Sequence, residues 1–131
     1  MIVADTNIIS YLFLPTVYSE RASQLYKIEP EWAAPSQWRS EFRNVLVLYL
    51  RQKIVKLAEA LVLQDEAEAL MTDQEFTVTS LQVLTLTDSS ICSAYDCEFV
   101  ALAKQLSVKL VTQDKKYSAN SPTLQYRWMI F

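Results

Sequence analysis

The sequence predicts an α/β domain, a three-layer α/β/α sandwich around a central parallel sheet of four to five strands. Short apolar runs alternate with helical stretches along the whole chain, the pattern of a parallel sheet covered on both faces. The first run is apolar throughout instead of alternating, as a strand buried on both sides is. Two of the runs end on an aspartate, at the strand ends where open parallel sheets bind ligands. At 131 residues the chain is the length of one domain, taken as 1–131, and long enough to bury a core without disulfide or zinc staples.

The elements follow in order. Met1 to Ala4 is a buried strand, and Asp5 turns the chain into a helix over Thr6 to Leu14 that Pro15 closes. Tyr18 to Ile28 reads as a second helix and Trp32 to Ala34 as a brief strand. Pro35 and Ser36 open a longer helix, in which Trp38, Phe42, Val45, Leu46, Tyr49 and Leu50 recur at three and four. Val55 to Met71 is a further helix, Phe76 to Thr79 alternates like a strand, and Ser80 to Ile91 fits either period, with helix favoured by the length of the connection. Ser93-Ala94-Tyr95-Asp96 has the form of a capping box, followed by Phe99, Val100, Ala103 and Leu106 on one face. Val108 to Thr112 is a β-branched strand leading to Asp114, Lys115 to Asn120 a helical turn and loop, and Arg127 to Phe131 a last strand.

Composition removes whole classes of chemistry. At about 7% glycine an average chain of this length would hold roughly nine; this one has none. Phosphate-binding loops and dinucleotide fingerprints, which need bare backbone beside phosphate, are excluded. The turns must then be made by Asn, Asp, Ser and Pro. There is no histidine either, which removes Ser-His-Asp and Cys-His nucleophiles, imidazole acid-base pairs and His-based zinc sites. Cys92 and Cys97 match no metal or redox spacing and are expected as buried, reduced thiols of a cytoplasmic protein. No signal peptide or membrane span fits. A pI near 4.9 argues against coating nucleic acid by charge alone, but not against an acidic site that recruits cations.

Four acids stand out. Asp5, Asp96 and Asp114 each have a local explanation as helix or turn caps. Glu41 does not, since it lies one turn beyond Trp38 and one turn before Val45, at the border of the apolar stripe. If the four converged, pairs about 5 Å apart would repel by roughly 3 kcal/mol at an effective dielectric near 20. Such a cluster must protonate in part or hold a divalent ion, and all-oxygen donors select hard cations such as Mg²⁺ or Mn²⁺.

Asp5-Thr6-Asn7 after an apolar strand, Ser40-Glu41-Phe42-Arg43-Asn44-Val45-Leu46 within a helix, Tyr95-Asp96-Cys97-Glu98-Phe99-Val100-Ala101-Leu102-Ala103, and Leu110-Val111-Thr112-Gln113-Asp114 follow one another along the chain. Together they resemble the PIN-domain ribonucleases, most closely the short VapC-type toxin branch. The resemblance implies that Asp5, Glu41, Asp96 and Asp114 are the acidic quartet holding one or two Mg²⁺ or Mn²⁺ ions, with Thr6, Asn7 and Thr112 orienting those ligands. It also implies a metal-dependent endoribonuclease, a homodimer, and a small antitoxin that blocks the groove. Arg39, Arg43, Lys115 and Lys116 are candidates for contact with the RNA backbone. The competing reading is a PIN-fold interaction module without activity. An aspartyl-phosphate phosphatase fits poorly, because its second aspartate would fall at Asn7.

Overall fold

In the computed structural model, residues 1–113 and the backbone of a strand at Trp128–Ile130 are described. Strand β1 (Ile2–Ala4) runs at the centre of a parallel sheet, flanked by β2 (Trp32–Pro35) and β4 (Lys109–Thr112). The two-residue β3 (Glu75–Phe76) and β5 (Trp128–Ile130) form the edges, giving the order β3-β2-β1-β4-β5. The chain therefore moves outward from β1 on one side, then returns to build the other. The crevice between the carboxyl ends of β1 and β4 is where the order reverses, the preferred ligand position in open parallel sheets.

The helices are α1 (Thr6–Phe13), α2 (Ser19–Ile28), α3 (Trp38–Arg51), α4 (Leu57–Leu70), α5 (Ser80–Asp88) and α6 (Ala94–Leu106). Helix α6 packs across β1, β2 and β4 and carries α5; α1 packs on β4 and meets α2, α3 and α4. This is the three-layer arrangement expected. Nearly every face of α6 is covered, with Cys97, Phe99, Val100, Ala101, Leu102 and Ala103 all buried. On α3 the periodic stripe behaves as read: Trp38, Phe42 and Leu46 are buried, and Val45, Tyr49 and Leu50 pack at the margin. The Trp38 and Phe42 rings lie 6.2 Å apart in the core. Tyr11, Phe13, Tyr18 and Tyr26 are half-buried, the first two and Tyr26 packed against the core.

Local signals set the helix ends. Asp5 is extended and its side chain accepts the Thr6 amide, so the last residue of the strand exit is the cap of α1. Ser93 caps α6 by accepting the Asp96 amide at 3.1 Å. Thr79 and Gln82 form a reciprocal capping box on α5, which settles the ambiguous segment as helix. Several boundaries differ from expectation, among them the end of α5, which stops at Asp88 and not Ile91. Pro35 closes β2 and α3 begins only at Trp38. The strand expected at Phe76 to Thr79 lies at Glu75–Phe76, because Val78 and Thr79 already lead into α5. Without glycine, the left-handed backbone is carried by Lys53, Asp73 and Ser107, with φ of 59°, 63° and 55°; lysine was not among the residues expected there. Cys92 and Cys97 are buried thiols.

Candidate active site

The β1 ladder reaches Asp5, whose amide donates to the Val111 carbonyl at 3.0 Å. Asp5 is thus held by its backbone to β4 and by its cap to α1. Its Oδ1 accepts the Thr6 amide at 2.8 Å, and its Oδ2 accepts Thr112 Oγ1 at 2.7 Å from the end of β4. Thr6 in turn donates its hydroxyl to Glu41 Oε1 at 2.8 Å. One threonine therefore joins the acid of β1 to the acid of α3. Both threonines are buried, which keeps these charge-assisted bonds out of competition with water. Asn7 Oδ1 accepts the Gln113 amide at 3.4 Å, tying α1 to the chain that leaves β4.

The charges around Glu41 are all of one sign. Burial lifts its carboxyl above the ordinary carboxylate range, the Thr6 hydrogen bond draws it back, and the charges of Asp5, Asp96 and Glu98 lift it again. Asp96, in the first turn of α6, therefore lies close enough for its charge to act on Glu41. Glu98 is lifted by burial too, and is moderated by a hydrogen bond from Gln37. The Gln37 amide also donates to the Tyr95 carbonyl at 2.9 Å, which fastens the start of α6 to the start of α3 across the sheet end.

Of the predicted quartet, Asp5, Glu41 and Asp96 are brought to one end of the sheet, and Asp114 lies outside the described residues. The predicted supporting residues Thr6 and Thr112 each bond a carboxylate, and Asn7 braces the backbone beside them. Among the described residues no three acidic or thiol side chains converge closely enough to enclose an ion by themselves. Mg²⁺ needs less than that, since it keeps several waters and takes one or two carboxylates. An all-oxygen donor set, with no cation among the described groups that act on Glu41, fits such an ion. Glu98 and Gln37 were missed by sequence reasoning; Glu98 stands within the quoted motif, but a charge two residues from Asp96 is not on the same helical face.

Arg39 corrects an expectation. It does not point to a backbone-binding role, because its Nε and Nη2 donate to Glu75 Oε2 and Oε1 at 2.7 and 2.6 Å, and its Nη1 donates to Glu68 at 2.8 Å. Trp38 Nε1 also donates to Glu75 Oε2 at 2.8 Å. This network binds α3 and α4 to the β3 edge. Lys115 and Lys116 lie outside the described residues, and Arg43 is exposed.

A PIN-domain family model matches residues 2–121. The chain belongs to the PIN-domain family. Two solved structures share the PIN fold with it. A chain in the crystal structure of FitAcB from Neisseria gonorrhoeae is 20% identical, with a TM-score of 0.68 over 100% of this chain and 96% of that one. A chain in the structure of FitAB bound to IR36 DNA fragment is 18% identical, with a TM-score of 0.72 over 99% and 94%. No curated protein matches this PIN domain by sequence.

Proposed function

We propose that this PIN domain is a metal-dependent endoribonuclease and the toxin of a type II toxin-antitoxin pair. PIN domains are in general nucleases, and the observation that carries the reading is the Thr6 bridge. Thr6 holds Asp5 by its amide and Glu41 by its buried hydroxyl, although Asp5, Asp96 and Glu98 all repel Glu41. Like charges held together at a strand switch point cost stability, and a hard cation relieves that cost.

In this reading Asp5, Glu41 and Asp96, with Asp114, hold one or two Mg²⁺ or Mn²⁺ ions. Such an ion, when bound, lowers the pKa of a coordinated water and neutralises charge on phosphate oxygens. The residues do the rest. Thr112 and the Thr6 amide orient the two oxygens of Asp5, so its lone pairs point in one fixed direction. Thr6 occupies Oε1 of Glu41, leaving Oε2 to take the proton of the attacking water, a task helped by the burial that lifts this carboxyl above the ordinary range. The buried threonines keep bulk water from loosening this geometry. The products are 5′-phosphate and 3′-hydroxyl ends, by resemblance to the family.

The partners follow from the same reading. An antitoxin places a basic residue against the acidic end, and solved neighbours that carry the paired names FitAcB and FitAB, one of them on DNA, support a partnered assembly. A homodimer and a cytoplasmic location belong to the same proposal. No helix among the described residues is long and apolar enough to cross a membrane. The test is RNA incubated with the protein. Cleavage is expected with Mg²⁺ or Mn²⁺ and none with EDTA; cleavage that persists in EDTA overturns metal dependence, and RNA left intact with either ion overturns the nuclease.

A further inference from the structure

Helix α3 carries two stripes. Its apolar stripe is buried; its polar stripe, Gln37, Ser40, Glu41 and Asn44, recurs at three, four and seven residues and so lies along one face. That face meets the start of α6, where Gln37 holds the Tyr95 carbonyl. Ser40, Glu41, Asn44 and Tyr95 line an open depression of about 410 Å³. Tyr95 is 67% exposed, although the charge of its neighbour Asp96 acts on Glu41. An aromatic ring left in water at the rim of an acidic site gains nothing for the core. Its backbone is nevertheless fastened by Gln37 to the start of α3, which keeps Tyr95 at the edge of the depression it shares with Glu41.

We propose that Tyr95, with Ser40 and Asn44 beside it, forms a nucleobase subsite in which the ring stacks on an unpaired base while the adjoining phosphate lies at Asp5, Glu41 and Asp96. The subsite rests on the nuclease reading above and names the substrate class, single-stranded RNA. Three features fit. Stacking on an exposed aromatic ring is the usual way a protein holds an unstacked base, and it tolerates any base. The Asn44 amide and the Ser40 hydroxyl supply both donors and acceptors for a base edge. The acidic floor offers phosphate no attraction of its own without a bound ion, and a stacking ring adds affinity that does not depend on charge.

A short single-stranded oligoribonucleotide carrying 2-aminopurine, mixed with the Asp5→Asn protein in Mg²⁺, reads the subsite without cleavage. The fluorescence should fall on binding. In the Asp5→Asn, Tyr95→Ala double variant, affinity should drop about tenfold and most of the quenching should vanish. Tyr95→Phe and Tyr95→Trp should keep both, and Asn44→Ala should weaken binding by a smaller factor. Because the ring is exposed, melting temperatures should stay level across the series. Unchanged affinity and quenching in Tyr95→Ala overturns the subsite, as does loss in Tyr95→Trp equal to that in Tyr95→Ala, or a duplex of the same sequence that binds equally well.

Two further outcomes separate the proposals. With Asp5 restored, a raised KM in Tyr95→Ala at nearly constant kcat supports the subsite. Efficient cleavage with KM unmoved sinks the subsite but leaves the nuclease. Tyr95-dependent quenching in a protein that never cuts RNA does the reverse.

Discussion

Helix α3 carries two kinds of charged site three turns from its far end, and they differ in how a glutamate is treated. Toward β3, Glu75 receives two bonds from Arg39 and one from Trp38, and the Arg39 hydrogen bond holds its carboxyl below the ordinary range. Toward β1, Glu41 receives one bond from Thr6 and faces three acids, and burial lifts its carboxyl above that range. Both are partly buried glutamates, one on the β3 edge of the sheet and the other on α3. One is paired with a cation and braces an edge; the other is held by a neutral hydroxyl among charges of its own sign. In the proposed reading, the contrast separates a structural acid from one kept for chemistry.

The largest effect that can break this contrast is on cleavage. Asp5→Asn or Asp96→Asn should reduce RNA hydrolysis by more than the 10–100-fold typical of losing an outer partner of a metal ligand, whereas Thr6→Val should fall within that range. Initial rates at saturating Mn²⁺ read both; activity surviving in Asp5→Asn defeats the assignment of the carboxylates.

Metal-linked stability is next. At a hundred times its dissociation constant, Mn²⁺ should stabilise the wild type by about 2.7 kcal/mol. Asp96→Asn should gain much less under the same conditions, as calorimetry can show. Equal gains in both would place the ion elsewhere.

Smaller, and opposite in sign, are the two glutamate neutralisations in metal-free buffer at pH 7. Glu41→Gln removes a repelled charge and should raise stability by about 0.5–2 kcal/mol, as is common where a functional site is relaxed. Glu75→Gln weakens the Arg39 clamp and should lower the melting temperature by about 2–5 °C. Shifts of the same sign in both variants would erase the distinction.

The pH dependence sharpens it further. Glu75 has a folded-state value below the ordinary 4.5, so its contribution is fully present above 4.5 and is lost as pH falls through the lower, folded-state value. Glu41 has a folded-state value above 4.5. Its cost is fully present above that raised value and is relieved as pH falls through it toward 4.5. Urea midpoints should therefore show the Glu41→Gln advantage shrinking on the way down to pH 4.5, and the Glu75→Gln deficit closing only below it.

Much of this was legible in the chain. Periodicity placed α3 and α6, capping residues placed the starts of α1 and α6, and apolar runs placed β1 and β4, because each of these depends on neighbours in sequence. The two residues of β3 are too short for any period to register. The Arg39 clamp joins residues 36 apart in sequence, and nothing local distinguishes Arg39 from Arg43, so both read as candidates for RNA. Glu41 was found by its misfit with the apolar stripe; Glu98 was hidden because its neighbourhood is made by α3 and not by α6. The bond from Thr112 to Asp5 spans 107 residues, and only motif order along the chain hinted at it.

The left-handed turns at Lys53, Asp73 and Ser107 bear on how the denatured chain behaves. Polypeptides normally keep glycine at such bends, and glycine widens the unfolded ensemble as much as it eases the folded one. This chain accepts torsional cost in the native bend and in exchange begins folding from a narrower set of conformations. Ser107, which ends α6 one strand before the Thr112 anchor, is where that exchange lies nearest the carboxylates.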